Sequence, residues 1–336
     1  MDCKRRVEMN MFPREKIIRV ITSRLFRIAV SAGLLVFIAH CFGFREIVSN
    51  MRSAQPLYLV YAFIVFIISG VLGALQWGIL LRFHGIRSGF SGIVACYFTG
   101  LFFNYILPGF VGGDVVRVYK ASQISGKTTK AFSSTLADRV IGLLMLVLFS
   151  IGAFMLMPGG PAAGAFPLAL VMFIALSGLI GVIALRPVGV YINRIFGRFL
   201  PESFRKKIAA VYDEMHALTR SPATLATVIV TSFFIQFTRI MVHFLCGKAV
   251  GIEFGFFYFA MFVPIIEIIV SIPISVGGVG VRETVAISLF HTVGVGSPYV
   301  VAYSLLAWIT GFIVSIPFGI VFMLVGGKQN ATLKSG

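Results

Sequence analysis

Charged residues are scarce in this sequence, and the motifs of common soluble enzymes are missing. Only 12% of the 336 residues are Asp, Glu, Lys or Arg, whereas soluble domains carry about 25%. The sequence has no G-x-x-x-x-G-K-[ST] loop, no H-E-x-x-H motif and no convincing Ser/His/Asp set, so it lacks the usual means of cradling nucleotide phosphates or activating a nucleophile. We therefore expect no enzymatic activity, no ATP hydrolysis and no cofactor.

Acidic residues and cysteines are also few. The chain has 12 Asp and Glu against 29 Lys and Arg, a net charge of +17. Basic loops beside apolar segments usually report membrane orientation and contact with anionic lipid heads, so we expect no nucleic-acid partner. The cysteines show neither CxxC nor zinc spacing, so we expect no metal site; they are Cys3, Cys41, Cys96 and Cys246.

Apolar residues, by contrast, make up 58% of the chain, and the mean hydropathy is +0.96. The apolar runs are about 20 residues long and lack the alternation of barrel strands, which predicts membrane-crossing helices. The runs are 28–44, 57–81, 89–107, 131–157, 165–185, 222–246, 256–272 and 298–325, with a shorter one at 284–293. The predicted fold class is an all-α polytopic membrane protein.

Two glycine-rich breaks interrupt these runs in the same pattern. Residues 108–117 read PGFVGGDVVR, residues 273–282 read PISVGGVGVR, and the two segments lie 165 residues apart. An offset of nearly half the chain indicates an internal repeat. In transporters built from two related halves, hydrophobic segments broken by Gly and Pro at matching positions mark the substrate site.

The distribution of basic residues predicts which runs cross the membrane. If run 89–107 crossed, three lysines between 120 and 130 would lie outside, against the positive-inside rule. Letting 89–107 and 256–272 turn back at their breaks leaves 22 of the 29 Lys and Arg inside and three outside. The prediction is an inverted-repeat bundle of about six full crossings and two opposed re-entrant hairpins, with both termini cytoplasmic. The first 27 residues carry eight Lys and Arg with no cleavage site, which predicts an uncleaved signal anchor.

This topology divides the chain into two membrane repeats with polar ends. The first-helix match between the repeats is poor, because a long cytoplasmic segment is inserted in the second. The predicted parts are a basic N-terminus (1–27), repeat A (28–157) with re-entrant motif 104–117, repeat B (165–325) with cytoplasmic segment 186–220 and re-entrant motif 273–283, and a cytoplasmic tail (326–336).

Eight ionisable residues fall within the predicted hydrocarbon region, where charge is costly and usually functional. Four acids and four bases cancel, so the empty interior is expected to be nearly neutral. They are Asp114, Arg117, Asp138, Arg139, Arg239, Glu267, Arg282 and Glu283.

The two breaks predict a paired anion site. Glycines let the backbone turn sharply and approach a ligand, and the half-helices after them present positive ends. Arg117 and Arg282 then add forks suited to phosphate. In the alternative reading both breaks are structural hinges, with Asp114 capping its helix and pairing with Arg117, and with Arg282 and Glu283 finding local partners. The glycines concerned are Gly112, Gly113, Gly277, Gly278 and Gly280.

Other polar residues extend this prediction along a pathway. Gln236, Arg239 and His243 share one helical face and are expected to line the route, although Gln236 and His243 also suit interhelical hydrogen bonds. Glu267 either carries a proton or pairs with an arginine such as Arg239. An interfacial ion pair is expected for Asp138 and Arg139, and either a head-group hydrogen bond or packing for Asn104.

With these residues in view, the sequence resembles the flippase-like family named for the transmembrane region of lysylphosphatidylglycerol synthase. The resemblance covers about residues 53–325 and rests on NYILPGFVGGDVVR at 104–117, TLADR at 135–139 and PISVGGVGVRE at 273–283. It implies a lipid translocase fold with the two motif loops as its core. The synthases add a soluble aminoacyl-transfer domain, which this sequence does not contain, so lipid lysylation is not expected.

These observations predict a flippase in the cytoplasmic (inner) membrane of a bacterium or archaeon. The expected substrate is an anionic phospholipid, a glycolipid or a polyprenyl-phosphate-linked lipid, and the family's varied substrates leave the choice open. The alternative is a non-transporting partner that presents a lipid-linked substrate to a separate glycosyltransferase.

Overall fold

The computed structural model describes residues 44–107, 111–157, 162–184, 202–272 and 275–332. Within these ranges the regular elements are helical, and a short 3-10 turn at Ala163–Ala165 leads into the sixth helix. The helices are α1 (Phe44–Arg52), α2 (Pro56–Phe83), α3 (Phe90–Ile106), α4 (Val111–Ser125), α5 (Thr128–Leu156), α6 (Phe166–Ala184), α7 (Glu202–Thr219), α8 (Pro222–Ala249), α9 (Phe256–Val270), α10 (Val281–His291) and α11 (Ser297–Thr332).

Five of these helices are long and apolar enough to cross a membrane: α2, α5, α6 with its preceding turn, α8 and α11. At a rise of about 1.5 Å per residue, the 28 residues of α2 or α8 exceed the roughly 30 Å of a hydrocarbon core. The chain is therefore an all-α polytopic membrane protein, as predicted. The predicted crossing 28–44 falls, except for Phe44, outside the described residues, as do segments 1–27 and 185–201.

The two hairpins are built from shorter helices. At about 1.5 Å per residue, the 17 residues of α3 and the 15 of α9 are too short to cross. Helix α3 packs against α4, and α9 packs against α10. Each pair therefore turns back at a glycine-rich break.

One expectation about the first break is wrong. Helix α4 already begins at Val111, so Gly112 and Gly113 lie inside its first turn, and neither has a positive φ. Arg117 consequently lies in the second turn of α4. The glycines serve close packing instead, because a Cβ on Gly113 would overlap the Gly100 carbonyl of α3. Their neighbours 108–110 lie outside the described residues.

The two halves of the bundle make equivalent contacts. The first long helix of each half, α2 and α8, pack together at the centre. Helix α3 packs on α11 of the other half as α9 packs on α5, and α4 packs on α5 as α10 packs on α11. Even the short helices correspond, since α1 packs on α11 and α7 packs on α5. The sequence comparison did not pair these two helices; its poor match of the first runs, 28–44 with 165–185, stays untested because 28–43 lies outside the described residues.

The central pair, α2 and α8, is antiparallel. The Gln55 backbone N–H, just before α2, donates to the carbonyl of Ala249 at the end of α8 over 2.8 Å. Near the middle of both helices, the Ser69 hydroxyl lies 3.4 Å from the Ile235 carbonyl. The start of one helix therefore meets the end of the other, and the two halves run in opposite directions through the membrane.

We predict that Gly113→Ala destabilises the fold by about 1–3 kcal/mol, the usual cost of overpacking, because the added methyl meets the Gly100 backbone. Gly152→Ala is the matched control, since a Cβ there meets nothing within 4 Å. Thermal unfolding of the detergent-purified proteins should show a lower Tm for Gly113→Ala alone. Equal Tm values for the two variants would contradict the packing role.

Candidate functional site

The first cluster joins the start of α4 to α5. The Arg117 guanidinium lies 2.8 Å from the Asp138 carboxylate and 3.3 Å from that of Asp114. Arg139 lies 3.0 Å from the other oxygen of Asp114, and the side-chain amide of Gln76 in α2 donates to Asp138 over 2.9 Å. The cluster therefore ties three helices together. Asp138 and Arg139, expected to pair with each other, each pair instead with a residue of α4.

Arg117 is also held between two aromatic rings. Its Cζ lies 4.6 Å from the centre of the Trp77 ring and 4.5 Å from that of Tyr97, and the residue is 6% exposed. Flat guanidinium groups stack favourably on aromatic faces, more so when shielded from water. The Trp77 indole N–H donates to the Thr135 hydroxyl over 3.1 Å, which fixes the ring. Arg117 is thus held in place by these contacts, and its charge is neutralised by the neighbouring carboxylates.

Asn104 supports the first hairpin from α3. Its side-chain oxygen accepts the Gly113 backbone N–H over 2.8 Å. That N–H belongs to the first turn of α4, where helical N–H groups have no partner within the helix. Asn104 therefore caps α4, while also lining a cavity described below.

The second cluster lies at the other break. The Arg282 guanidinium is 3.2 Å from the Glu267 carboxylate, and the His243 ring is 3.7 Å from the same oxygen. Glu267 therefore pairs with Arg282 of its own hairpin rather than with Arg239. His243 adds α8 to the group.

Glu283 serves the backbone of this break. One of its carboxylate oxygens accepts the Gly280 N–H over 2.6 Å, and the other accepts the Ser304 hydroxyl of α11 over 3.0 Å. Gly280 has φ +88°, a conformation that favours glycine. Gly277 and Gly278 are also left-handed, at +58° and +76°, so the turn expected of the glycines does occur at this break.

The second break touches the first hairpin. The Trp308 indole N–H donates to the Gly277 carbonyl over 3.2 Å, and its ring lies edge-on to Tyr105 of α3, with centroids 5.4 Å apart. A Cβ on Gly277 would lie 2.7 Å from the Tyr105 carbonyl oxygen. The second break therefore lies against the end of α3, the first arm of the other hairpin.

Two adjoining cavities separate the charge clusters. The first, of about 80 Å³, is lined by Glu267, Arg282 and His243 among mostly apolar residues. The second, of about 90 Å³, is more polar and is lined by the Arg117 cluster together with Asn104 and Gln236. Both have room for a few water molecules. The residues that line both cavities are Tyr97, Leu101, Leu146, Arg239 and Glu267.

Arg239 differs from the other arginines of the site. Among the residues that the structure describes, no carboxylate lies within ion-pair distance of the Arg239 guanidinium, and no side-chain hydrogen bond joins that guanidinium to them. It is partly buried in α8 and lines both cavities. Glu283 is buried but lines neither cavity, so the cavity lining holds four arginines and three carboxylates, while the eight ionisable residues expected from the sequence still balance as a set.

In the described ranges, no three His, Cys, Asp or Glu side chains gather closely enough to hold a metal ion. Residues that sequence reasoning missed include Gln76, Trp77 and Tyr97. Gln76 stands alone as an amide within apolar run 57–81, and this isolated polar residue is a signal that could have identified it.

Comparison with known proteins places these features in context. A family model described as the lysylphosphatidylglycerol synthase TM region matches residues 24–319, which include both breaks and both clusters. The chain is similar to UPF0104 membrane proteins of Methanothermobacter thermautotrophicus, 25% identical over 93% of this chain and 94% of that protein, and of Pyrococcus horikoshii, 23% identical over 90% and 96%. A third UPF0104 membrane protein, from Methanocaldococcus jannaschii, is 30% identical over 41% of this chain and 40% of its own length.

We predict that Asp138→Asn lowers stability by about 1–3 kcal/mol, because the buried Arg117 guanidinium loses its 2.8 Å partner and keeps only Asp114 at 3.3 Å, which it shares with Arg139. The double variant Asp138→Asn with Arg117→Met should regain part of that loss. Thermal unfolding of both single variants and the double variant gives the coupling energy. Additive losses would show that the 2.8 Å contact does not stabilise the fold.

Proposed function

Because the chain belongs to the family of the lysylphosphatidylglycerol synthase TM region, we propose that it moves a lipid with an anionic head group between membrane leaflets. The observation that carries this proposal is the pair of adjoining cavities lined by residues of both hairpins, with charged side chains in each and Arg239 lining both. A lipid head could pass from one cavity to the other while the same guanidinium holds it. Its acyl chains would remain in the surrounding lipid.

Such transport requires a movement of the two antiparallel halves relative to each other. Cavities of 80–90 Å³ hold a few waters but no complete lipid head. The halves must therefore move relative to each other, as in other transporters built from inverted repeats. Leu101 and Leu146, which line both cavities, stand where such a movement would open the passage.

We propose the cytoplasmic membrane as its location, with both termini inside. The cytoplasmic segments predicted from the sequence gather at one end of the bundle: Lys130 at the start of α5 lies 3.5 Å from Glu214 of α7. The Lys127 ammonium group likewise donates to the Gly85 carbonyl over 3.2 Å, beyond the end of α2. The archaeal relatives are membrane proteins by name.

The proposal is tested by reconstituting the protein into liposomes with head-group variants of a fluorescent lipid. An impermeant quencher then reports how much label reaches the outer leaflet. We expect Arg239→Gln to slow movement by roughly 10- to 100-fold, because a hydrogen bond to a charged group contributes about 1.5–3 kcal/mol. Arg52→Gln is the control, since Arg52 is exposed at the end of α1 and lines neither cavity.

Arg239→Lys keeps the charge and should retain more movement than Arg239→Gln. Movement that is equal in wild type and Arg239→Gln would remove Arg239 from the route. No movement of any lipid by protein that elutes as a folded species would contradict transport and favour the partner of a glycosyltransferase. Copurification of the transferase would then be the next measurement.

We further propose that Glu267, which faces Arg282, His243 and both cavities, couples transport to the proton gradient. Glu267→Gln should abolish the dependence of the rate on an imposed pH gradient while sparing lipid binding. Glu253→Gln, in the exposed loop after α8, should leave that dependence intact. An unchanged gradient dependence in Glu267→Gln would exclude this role.

A further inference from the structure

Resting on the proposed transport, we infer that the two cavities select a lipid whose head is a phosphodiester with one net negative charge and free hydroxyl groups. Arg239 would be its counter-ion, and the buried amides of Gln76 and Gln236 would receive its hydroxyls. Zwitterionic heads, and heads with two or more negative charges, would be disfavoured.

The charge argument begins with the pairs already present in the lining. Arg117 is neutralised by Asp138 and Asp114 at 2.8 and 3.3 Å. Arg139 shares Asp114 at 3.0 Å. In the same way Arg282 faces Glu267 at 3.2 Å.

Among guanidinium and carboxylate groups, the lining holds four arginines and three carboxylates, an excess of one positive charge at the cavity surface. That charge lies on Arg239, which has no ion pair within the described part of the chain. Glu283 balances the charge of the interior as a whole, but it lines neither cavity and already accepts hydrogen bonds from Gly280 and Ser304. A guanidinium inside the membrane without a direct partner is unfavourable. A ligand with a single negative charge would supply that partner to Arg239.

The carboxylates set the upper limit on ligand charge. Asp114, Asp138 and Glu267 all line the cavity that a head group would enter. A second negative charge on the ligand would have no unpaired arginine in the lining to meet and would face these carboxylates directly. A zwitterion would leave the positive charge of the lining unbalanced.

The hydroxyl argument comes from two buried amides. Gln76 and Gln236 are each 2% exposed and both line the second cavity. The side-chain oxygen of each accepts no hydrogen bond from the residues that the structure describes. The orientation of Gln76 is set by its N–H donation to Asp138, so its oxygen is free as an acceptor. A buried acceptor without a donor is costly, and hydroxyls on the head group would satisfy it.

The same liposome assay tests this inference with four labelled lipids. They are phosphatidylglycerol (one negative charge, hydroxyls), phosphatidylethanol (one negative charge, no hydroxyl), phosphatidylcholine (zwitterion) and phosphatidylinositol 4-phosphate (several negative charges). We expect phosphatidylglycerol to move fastest, exceeding phosphatidylcholine by roughly 10-fold or more because only a singly charged head neutralises the lining. Phosphatidylethanol should move more slowly than phosphatidylglycerol and faster than phosphatidylcholine.

Two variants separate the charge from the hydroxyl argument. Arg239→Gln makes the lining neutral and should bring the phosphatidylglycerol to phosphatidylcholine ratio to about one or below, because the monoanion then adds a net charge. Gln236→Leu should reduce the advantage of phosphatidylglycerol over phosphatidylethanol while leaving the phosphatidylethanol to phosphatidylcholine ratio unchanged. Arg52→Gln should change neither ratio.

Several results would overturn the inference while leaving transport intact: equal wild-type rates for all four lipids, fastest movement of phosphatidylcholine or of phosphatidylinositol 4-phosphate, or ratios unchanged in Arg239→Gln. No movement of any lipid would contradict transport itself. Should Arg239→Gln fail to fold, the wild-type ratios and Gln236→Leu still decide both arguments.

Discussion

The cost of holding charge inside a membrane governs how this bundle is assembled. Arg117 and Arg282 follow glycine-rich breaks in otherwise apolar sequence, and each must find a carboxylate in order to be buried. Arg117 on α4 pairs with Asp138 on α5, and Arg282 on α10 pairs with Glu267 on α9, the other arm of its hairpin. The first pair holds its hairpin against α5, and the second joins the two arms of its own hairpin. The groups that make the interior polar therefore also help to position the short helices.

Internal symmetry explains why two such clusters exist and why they differ. The halves make equivalent helix contacts in opposite directions, so each hairpin meets the other half in the same manner. The two clusters differ, however. The first hairpin and α5 form a cluster of four charged residues, whereas the second hairpin has one ion pair, Arg282 with Glu267, and a carboxylate, Glu283, that accepts the Gly280 backbone N–H. Arg239, on α8, lies between the two unequal ends. The asymmetry leaves Arg239 as an arginine of the site that no carboxylate contacts within the described residues.

The sequence was informative where the physics is local. Run length and composition predicted the long helices, and the Gly-Gly patterns predicted both hairpins, because neither depends on distant contacts. Partner choice was not predictable: Asp138 pairs with Arg117 rather than with adjacent Arg139, and Glu267 with Arg282 rather than Arg239, which depends on how helices pack. Gly113 was misread for a related reason, since a glycine that allows a turn and one that allows close helix packing look alike in sequence.

The positions of the two tryptophans have a spectroscopic consequence. The chain contains only two, and the structure places one at each break: Trp77 stacks on Arg117, while Trp308 donates to the Gly277 carbonyl. A guanidinium against an indole face and a hydrogen bond to its nitrogen both affect the emission of the excited ring. Intrinsic fluorescence therefore reports on each hairpin separately once the other tryptophan is replaced, so rearrangement of the two halves can be timed without an attached dye.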